Sequence, residues 1–117
     1  VAEATHGRGV DLVLDGIGAA TWAGGLRSLA RGGRLVTYGR TTGRLAETDI
    51  KLVFWHQLRI IGSTMGSRGD FEAVMRLVFA GRLQPVVDAT FPLAEAGAAY
   101  ARLAAGEQFG KVVLRVA

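Results

Sequence analysis

Residues 12–21, LVLDGIGAAT, decide how the fold is interpreted. An apolar run stops at Asp15, and Gly16 and Gly18 follow before a segment with helical character. A strand that ends in glycines and leads into a helix is the setting of a phosphate-binding turn in dinucleotide-binding folds. It is also the setting of any parallel strand whose carboxyl end lies close to a ligand. The residues that follow distinguish these two interpretations.

The composition indicates a globular domain. The 117 residues suffice for one domain with a hydrophobic core, and half of them are apolar. There is no cysteine, which excludes disulfides, thiolate zinc sites and a cysteine nucleophile. No apolar run approaches the ~20 residues of a membrane span, and the N-terminus has no signal-peptide features. We therefore expect a cytoplasmic protein without a membrane partner. The chain does not begin with Met, as expected for a piece of a longer protein.

The charge pattern argues against nucleic-acid binding. The net charge is +4, and the basic residues are nearly all arginine, whose planar guanidinium can hold two phosphate oxygens at once. These arginines are scattered among ten acidic residues instead of forming a stripe interleaved with aromatic side chains. We therefore expect a small molecule, and not a nucleic acid, as the partner.

Strands and helices are predicted to alternate along the chain. Short apolar runs closed by glycine predict buried strands, and apolar residues at helical spacing predict helices. The predicted order is strand 10–15, helix 21–30, strand 34–39, helix 50–57, strand 58–64, helix 69–81, extended segment 84–93, helix 93–107 and strand 110–116. Gly32 and Gly33 are expected to end the first helix.

This alternation predicts an α/β fold with a parallel sheet. Such sheets bind ligands outside the carboxyl ends of their strands. Here those ends are DGIG (15–18), YGRT (38–41) and GSTMG (62–66), which are all small or flexible. The pattern favours a ligand at this edge, whose atoms could come close to the backbone. The alternative is that glycine merely ends each strand and starts a turn.

One interpretation makes residues 16–21 a dinucleotide fingerprint. They read GxGxxT, with Thr21 where the fingerprint has Gly or Ala. The acid expected about 20 residues later, which would hold the ribose hydroxyls, is absent. Arg40 stands near that place and could bind a 2′-phosphate instead, which would favour NADP. In this interpretation the chain is an independent NADP-binding half domain.

Four stretches point to another register. They occur in the order DLVLDGIG (11–18), GGRLVTYG (32–39), LRIIGSTMG (58–66) and FPLAEAGAAYARLAAGEQFGKVVL (91–114). Together they resemble the C-terminal part of the cofactor-binding domain in the medium-chain dehydrogenase/reductase superfamily, the zinc-type alcohol dehydrogenases and quinone oxidoreductases. The resemblance implies that residues 1–65 form the second half of a Rossmann-type parallel sheet, three strands with helices. Residues 66–117 would form a C-terminal helix-strand return segment, which packs on that half and on a catalytic domain outside this sequence.

The resemblance also implies a nicotinamide cofactor, NAD or NADP, and the residues that contact it. NADP is the slightly favoured form. The residues implied to line the ribose and nicotinamide are Gly16, Ile17 and Gly18, and those implied to pass under the nicotinamide are Tyr38, Gly39 and Arg40. Backbone groups for the carboxamide, which needs one donor and one acceptor, are implied at Ser63, Thr64 and Met65. The residues implied to return to the pyrophosphate are Gly110 and Lys111.

No catalytic side chain and no metal ligand are predicted in this chain. His6 and His56 stand far apart without ligand-spaced neighbours, and no pair of acids suits acid–base catalysis. Hydride transfer needs no protein nucleophile, because the cofactor supplies the chemistry. By the resemblance, any zinc is held by the catalytic domain that this sequence lacks.

The functional hypothesis is the cofactor-binding part of an NAD(P)-dependent oxidoreductase that acts on an alcohol, carbonyl, enone or quinone. Such a fragment is not expected to be active alone. The resemblance implies a homodimer formed through the edge strand Leu58–Thr64, whose apolar IIG run needs covering. Exposed apolar helix faces are expected as well. The alternative is a free-standing, non-catalytic dimeric binding module with a degenerate Rossmann-like fold.

Overall fold

The structure is a computed structural model that describes residues 1–116. Its elements are β1 (Val10–Asp15), α1 (Ala19–Arg27), β2 (Leu29–Thr37), α2 (Ile50–Trp55), β3 (Arg59–Gly62), α3 (Arg68–Phe79), β4 (Val87–Pro92), α4 (Ala96–Ala105) and β5 (Lys111–Arg115). Short 3₁₀ turns lie at Glu3–Thr5 and Leu93–Glu95. The chain divides into two units between Met65 and Gly66.

The first unit is a three-stranded parallel sheet with the order β1-β2-β3. Its middle strand β2 pairs with both neighbours, and α1 and α2 form the two crossovers. Leu35 on β2 is 0% exposed and lies at the centre of the core. The other buried core side chains are Leu26, Leu29 and Leu58. The alternation of strand and helix thus gives parallel strands, and the predicted α/β class is confirmed.

The predicted helix over residues 21–30 is wrong at its C-terminal end. Helix α1 stops at Arg27, and β2 begins at Leu29. The cause is a tertiary contact, because the Val10 amide donates to the Ser28 carbonyl at 2.9 Å and draws this segment into the sheet. Gly32, at φ +77°, therefore lies inside β2, where it accompanies a register shift instead of ending a helix.

The second unit is a parallel pair of strands, β4 and β5, joined by α4. Asp88 on β4 accepts from the Arg102 Nε at 2.5 Å and from the Phe109 amide at 3.3 Å, so it ties α4 and the turn before β5 to the strand. Helix α3 opens with a capping box of Ser67 and Asp70. No helix within residues 1–116 is long and apolar enough to cross a membrane.

Both edge strands of the first sheet leave apolar side chains exposed. Leu12 and Leu14 of β1 are exposed, as are Ile60 and Ile61 of β3. An edge strand with exposed apolar side chains is a template for further pairing. Each outer strand of this sheet is therefore a surface on which another strand can add.

Candidate cofactor site

The carboxyl ends of the three strands lie side by side at one edge of the first sheet. Asp15 pairs in register with Thr37, and Thr37 pairs in register with Gly62. The residues that follow each strand, 16–18, 38–40 and 63–65, therefore meet at this edge. We call it the carboxyl edge, and it lies entirely within the first unit.

A buried carboxylate organises the turn after β1. Asp15 is 4% exposed, and its Oδ1 accepts from the amides of Ile17 at 2.8 Å and Gly18 at 3.0 Å. The Thr21 hydroxyl donates to both carboxylate oxygens at 3.0 Å. Burial alone would raise the pKa of Asp15, but the hydrogen bonds from Gly18, Ile17 and Thr21 outweigh it and hold the pKa below its ordinary value. Asp15 is therefore an ionised internal acceptor.

This carboxylate argues against the fingerprint interpretation of residues 16–21. In a dinucleotide fingerprint, the amides of the glycine turn and of the helix N-terminus point at the pyrophosphate. Here the amides of Ile17 and Gly18 already donate to Asp15. Thr21, which departs from the fingerprint, completes the same carboxylate site. A phosphate at this turn would have to displace a buried anion, so the turn does not suit pyrophosphate.

Glycine allows the loops after β1 and β2 to approach closely. A Cβ on Gly39 would lie 2.4 Å from the Gly16 carbonyl oxygen, so only glycine fits there. Gly18 has φ +91°, and a Cβ there would lie 2.9 Å from the Cα of Arg40. The glycines at these two strand ends therefore allow the two loops to pack against each other, whether or not a ligand also contacts them.

Two threonines add hydrogen bonds between the same loops. The Thr41 hydroxyl donates to the Gly16 carbonyl at 3.3 Å, and the Thr42 hydroxyl and amide both donate to the Ile17 carbonyl at 2.9 Å. The sequence analysis did not single out Thr41, Thr42 or the carboxylate of Asp15. An Asp that directly precedes Gly-x-Gly, with Thr six residues after the Asp, is the signal that could have revealed the contacts of Asp15.

The ends of β2 and β3 leave groups available to a ligand. Tyr38 is 60% exposed and Met65 is 94% exposed. The Ser63 amide is used, because it donates to the Thr37 carbonyl at 2.8 Å and extends the β2–β3 pairing. Within the described part of the chain, no hydrogen bond uses the backbone groups of Thr64 or Met65. A donor and an acceptor suited to a carboxamide are thus open at these two residues.

Gly110 and Lys111 belong to the second unit, at the start of β5. Gly110 has φ +107°, and a Cβ there would lie 2.5 Å from the Val86 carbonyl oxygen, so the backbone requires glycine. The Lys111 amide donates to that same carbonyl at 2.9 Å, and the Lys111 side chain is exposed. The backbone geometry explains why position 110 is glycine, and the pyrophosphate contacts implied for Gly110 and Lys111 stay predictions.

No metal site is formed by the residues described. Among residues 1–116, no three His, Asp or Glu side chains cluster as a metal ion requires. His6 follows the first 3₁₀ turn and His56 follows α2. Zinc therefore enters none of the roles assigned below to residues 1–116.

The parallel sheet with glycine-rich carboxyl ends defines the class, a Rossmann-type nucleotide-binding fold. The family model described as zinc-binding dehydrogenase matches residues 1–114. The chain therefore belongs to the zinc-binding dehydrogenase family of the medium-chain dehydrogenase/reductase superfamily. Within that family it corresponds to the C-terminal, cofactor-binding part, as the four sequence stretches indicate.

Individual relatives agree with this assignment. The chain is 33% identical to an NAD-dependent alcohol dehydrogenase from Sulfolobus acidocaldarius, over 99% of this chain and 34% of the relative. It is 32% identical to an acryloyl-coenzyme A reductase from Metallosphaera sedula, over 90% and 32% of the two chains. A 2-octenoyl-CoA carboxylase reductase solved with NADP and 2-octenoyl-CoA superposes with a TM-score of 0.84 at 30% identity, over 97% and 25%. The chain spans about one third of the length of the two curated relatives.

Proposed function

We propose that residues 1–65 hold the nicotinamide half of NAD or NADP in an oxidoreductase. The observation that carries this proposal is the arrangement of the carboxyl edge. There Asp15 accepts the hydrogen bonds of the glycine-turn amides, while the Tyr38 side chain and the backbone groups of Thr64 and Met65 are available to a ligand. A carboxamide and a flat ring suit such an edge, whereas a pyrophosphate does not. Relatives that use NAD and a relative solved with NADP support a nicotinamide cofactor without deciding between the two forms.

The residues of this chain would bind and orient the cofactor. When bound, the nicotinamide supplies the hydride chemistry, and the protein supplies position and environment. Gly16, Ile17 and Gly18 would line the ribose and nicotinamide, with Tyr38, Gly39 and Arg40 beneath the ring. The open backbone groups of Thr64 and Met65 would pair with the carboxamide, and the carbonyl of Ser63 would lie beside them. No proton transfer is assigned to a side chain of this chain.

The substrate class proposed for the whole protein is an alcohol, a carbonyl compound, an enone or a quinone. Relatives named as an alcohol dehydrogenase and as an acryloyl-coenzyme A reductase support oxidation of an alcohol or reduction of a conjugated double bond. Both reactions move a hydride to or from carbon, so one nicotinamide site serves either of them.

Titration of NADH and NADPH into the full-length protein tests the proposal, with Arg40→Ala as the informative variant. We expect both cofactors to bind, and we expect Arg40→Ala to change the two Kd values by the same factor. The reason is that Asp15 already occupies the amides of the glycine turn, so Arg40 has no 2′-phosphate beside it. Nicotinamide fluorescence gives both constants.

Two results of this titration would favour the alternatives. If Arg40→Ala loses much more affinity for NADPH than for NADH, the result would support an independent NADP-binding half domain that uses Gly16 and Gly18. A full-length protein that binds neither cofactor would support the non-catalytic dimeric binding module. If Arg40→Ala weakens the binding of both cofactors by a common factor, or changes neither Kd, the nicotinamide-half proposal stands.

We further propose that the protein forms a homodimer through β3 and its flanks, residues Leu58–Thr64. Ile60 and Ile61 are 41% and 42% exposed on an outer strand, which makes this edge a surface for strand pairing. Pairing with a second copy of the same strand would cover both side chains. The proposal concerns only this edge of the first unit.

Ile60→Lys is expected to convert the dimer into a monomer. A lysine on an edge strand opposes pairing because its charge would have to be desolvated in the interface. Sedimentation velocity of the wild-type and variant full-length proteins measures the change. Ile50→Lys is the matched control, because it makes the same substitution at an exposed isoleucine of α2, away from β3. A wild-type monomer, or a dimer that survives Ile60→Lys, would contradict this interface.

A further inference from the structure

The loop that follows β2, residues 38–48, is fastened to the turn between β1 and α1 through Thr42. The Thr42 hydroxyl donates to the Ile17 carbonyl at 2.9 Å and accepts from the Ala20 amide at 3.0 Å. The Thr42 amide donates to the same Ile17 carbonyl at 2.9 Å. One residue thus makes three hydrogen bonds to positions 22 and 25 residues earlier in the chain.

The bond to Ala20 is a helix cap supplied from outside the helix. The N-cap of α1 is Gly18, which has no side chain to accept from the first-turn amides. Thr42 provides the missing acceptor for Ala20, in the second position of the helix. Because this cap comes from the loop after β2, the start of α1 and that loop are held in one arrangement.

The loop is also held at its far end and along its length. The Trp22 indole Nε1 donates to the Thr48 hydroxyl at 2.9 Å. On either side of Thr42, the Arg40 Cα and the Gly43 carbonyl oxygen would each lie 2.9 Å from a Cβ on Gly18, so the two backbones are already in contact. Thr42 lies beside this contact and supplies the polar bonds that fix its register.

We propose that Thr42 is a positioning residue for the nicotinamide cofactor. Its hydrogen bonds hold the loop after β2 against the β1–α1 turn. They thereby set the distance between Ile17 on one side and Tyr38 and Gly39 on the other. This inference rests on the proposed function, in which those residues line the cofactor. Thr42 acts through them and needs no contact with the cofactor itself. Binding sites lose affinity when their supporting hydrogen bonds are removed, because the site is no longer preorganised.

Thr42→Val in the full-length protein tests the proposal. Valine keeps the shape of threonine and removes the hydroxyl, so two of the three hydrogen bonds are lost and the amide bond remains. We expect the Kd of NADH and of NADPH to rise about fivefold, in keeping with the loss of one or two ordinary hydrogen bonds. Thr42→Ser keeps the hydroxyl and is expected to restore the wild-type Kd.

Thr41→Val is the matched control, since Thr41 is the neighbouring residue and makes one longer bond, at 3.3 Å, to the Gly16 carbonyl. We expect it to change either Kd by less than about twofold. A second readout is hydrogen exchange, in which Thr42→Val should speed exchange of the Ala20 amide and Thr41→Val should not. These two measurements separate positioning from a general loss of stability, because Thr41→Val removes a neighbouring hydrogen bond and leaves those of Thr42 in place.

The outcomes decide between the two proposals. If the wild type binds cofactor and Thr42→Val leaves both Kd values unchanged, the positioning role is overturned and the proposed function stands. If Thr42→Val only lowers the melting temperature, the hydrogen bonds of Thr42 contribute only to stability, and the positioning role is likewise overturned. If the wild type binds neither NADH nor NADPH, the proposed function and the positioning role both fail. A raised Kd that serine restores supports the proposal.

Discussion

Gly39→Ala is expected to destabilise the first unit by about 3 kcal/mol and to remove cofactor binding, since overpacking against rigid backbone costs this order of free energy. The added Cβ would lie 2.4 Å from the Gly16 carbonyl oxygen and 3.0 Å from its carbonyl carbon. Both are backbone atoms at the end of β1, and neither can rotate away. The loops after β1 and β2 must therefore separate, which opens the carboxyl edge where the nicotinamide is proposed to lie.

Urea unfolding of the full-length protein measures the loss of stability, and titration of NADH measures the loss of binding. Gly24→Ala is the matched control, because Gly24 lies in α1 of the same unit and a Cβ there would meet nothing within 4 Å. We expect that variant to be no less stable than the wild type, since alanine favours a helix more than glycine does. Equal stability of Gly39→Ala and Gly24→Ala would show that the two loops do not pack as described.

Asp15→Ala is expected to lower the free energy of unfolding by about 3 kcal/mol, because hydrogen bonds to a buried charged acceptor contribute more than neutral ones. The substitution removes the acceptor of the Ile17 and Gly18 amides and leaves the Thr21 hydroxyl only the Gly18 carbonyl at 3.2 Å. Asp15→Asn retains one oxygen as an acceptor and should lose about 1 kcal/mol. Urea unfolding at neutral pH measures both variants.

The effect of Asp15 on stability should depend on pH with a definite sign. Its pKa in the folded protein lies below the ordinary value, since the hydrogen bonds that it accepts favour the ionised form despite burial. The carboxylate therefore stabilises the fold fully above the pKa of an unfolded aspartate, about 3.9, and this contribution is lost as the pH falls below it through the folded pKa. The advantage of the wild type over Asp15→Asn should shrink over that acidic range. An advantage that grows on acidification would contradict the account.

Much of the fold could be predicted because local and tertiary preferences agree. The run VDLVLD forms β1 with the predicted bounds, and each helix that was expected between strands is present. The exception is the segment from Ser28 to Gly33. Leu29 and Ala30 have helical spacing from Trp22, yet both are buried in β2 because the hydrogen bond between Val10 and Ser28 competes successfully for this segment. A bond between residues so far apart leaves no periodic signal in the sequence.

The candidate site was less accessible to sequence reasoning. The position of the carboxyl edge follows from the parallel alternation and from the glycines that close each strand. The internal use of Asp15, Thr41 and Thr42 does not, because it depends on how two loops fold against each other. The glycines illustrate the difference, since Gly16 and Gly39 suit a ligand in the sequence but also touch each other in the structure. Arg40 likewise suits a phosphate in the sequence, whereas in the structure the Asp15 carboxylate already occupies the amides of the neighbouring turn.

A crystal structure of the full-length protein with NADH or NADPH tests most directly whether the carboxyl edge of the first unit holds the nicotinamide half of the cofactor. We predict the nicotinamide ring against Gly16 and Tyr38, with its carboxamide on the backbone of Thr64 and Met65, and Asp15 still bound to the Ile17 and Gly18 amides. A pyrophosphate seated on the Gly16–Gly18 turn in place of the Asp15 carboxylate, or a cofactor that leaves this edge untouched, would contradict the account.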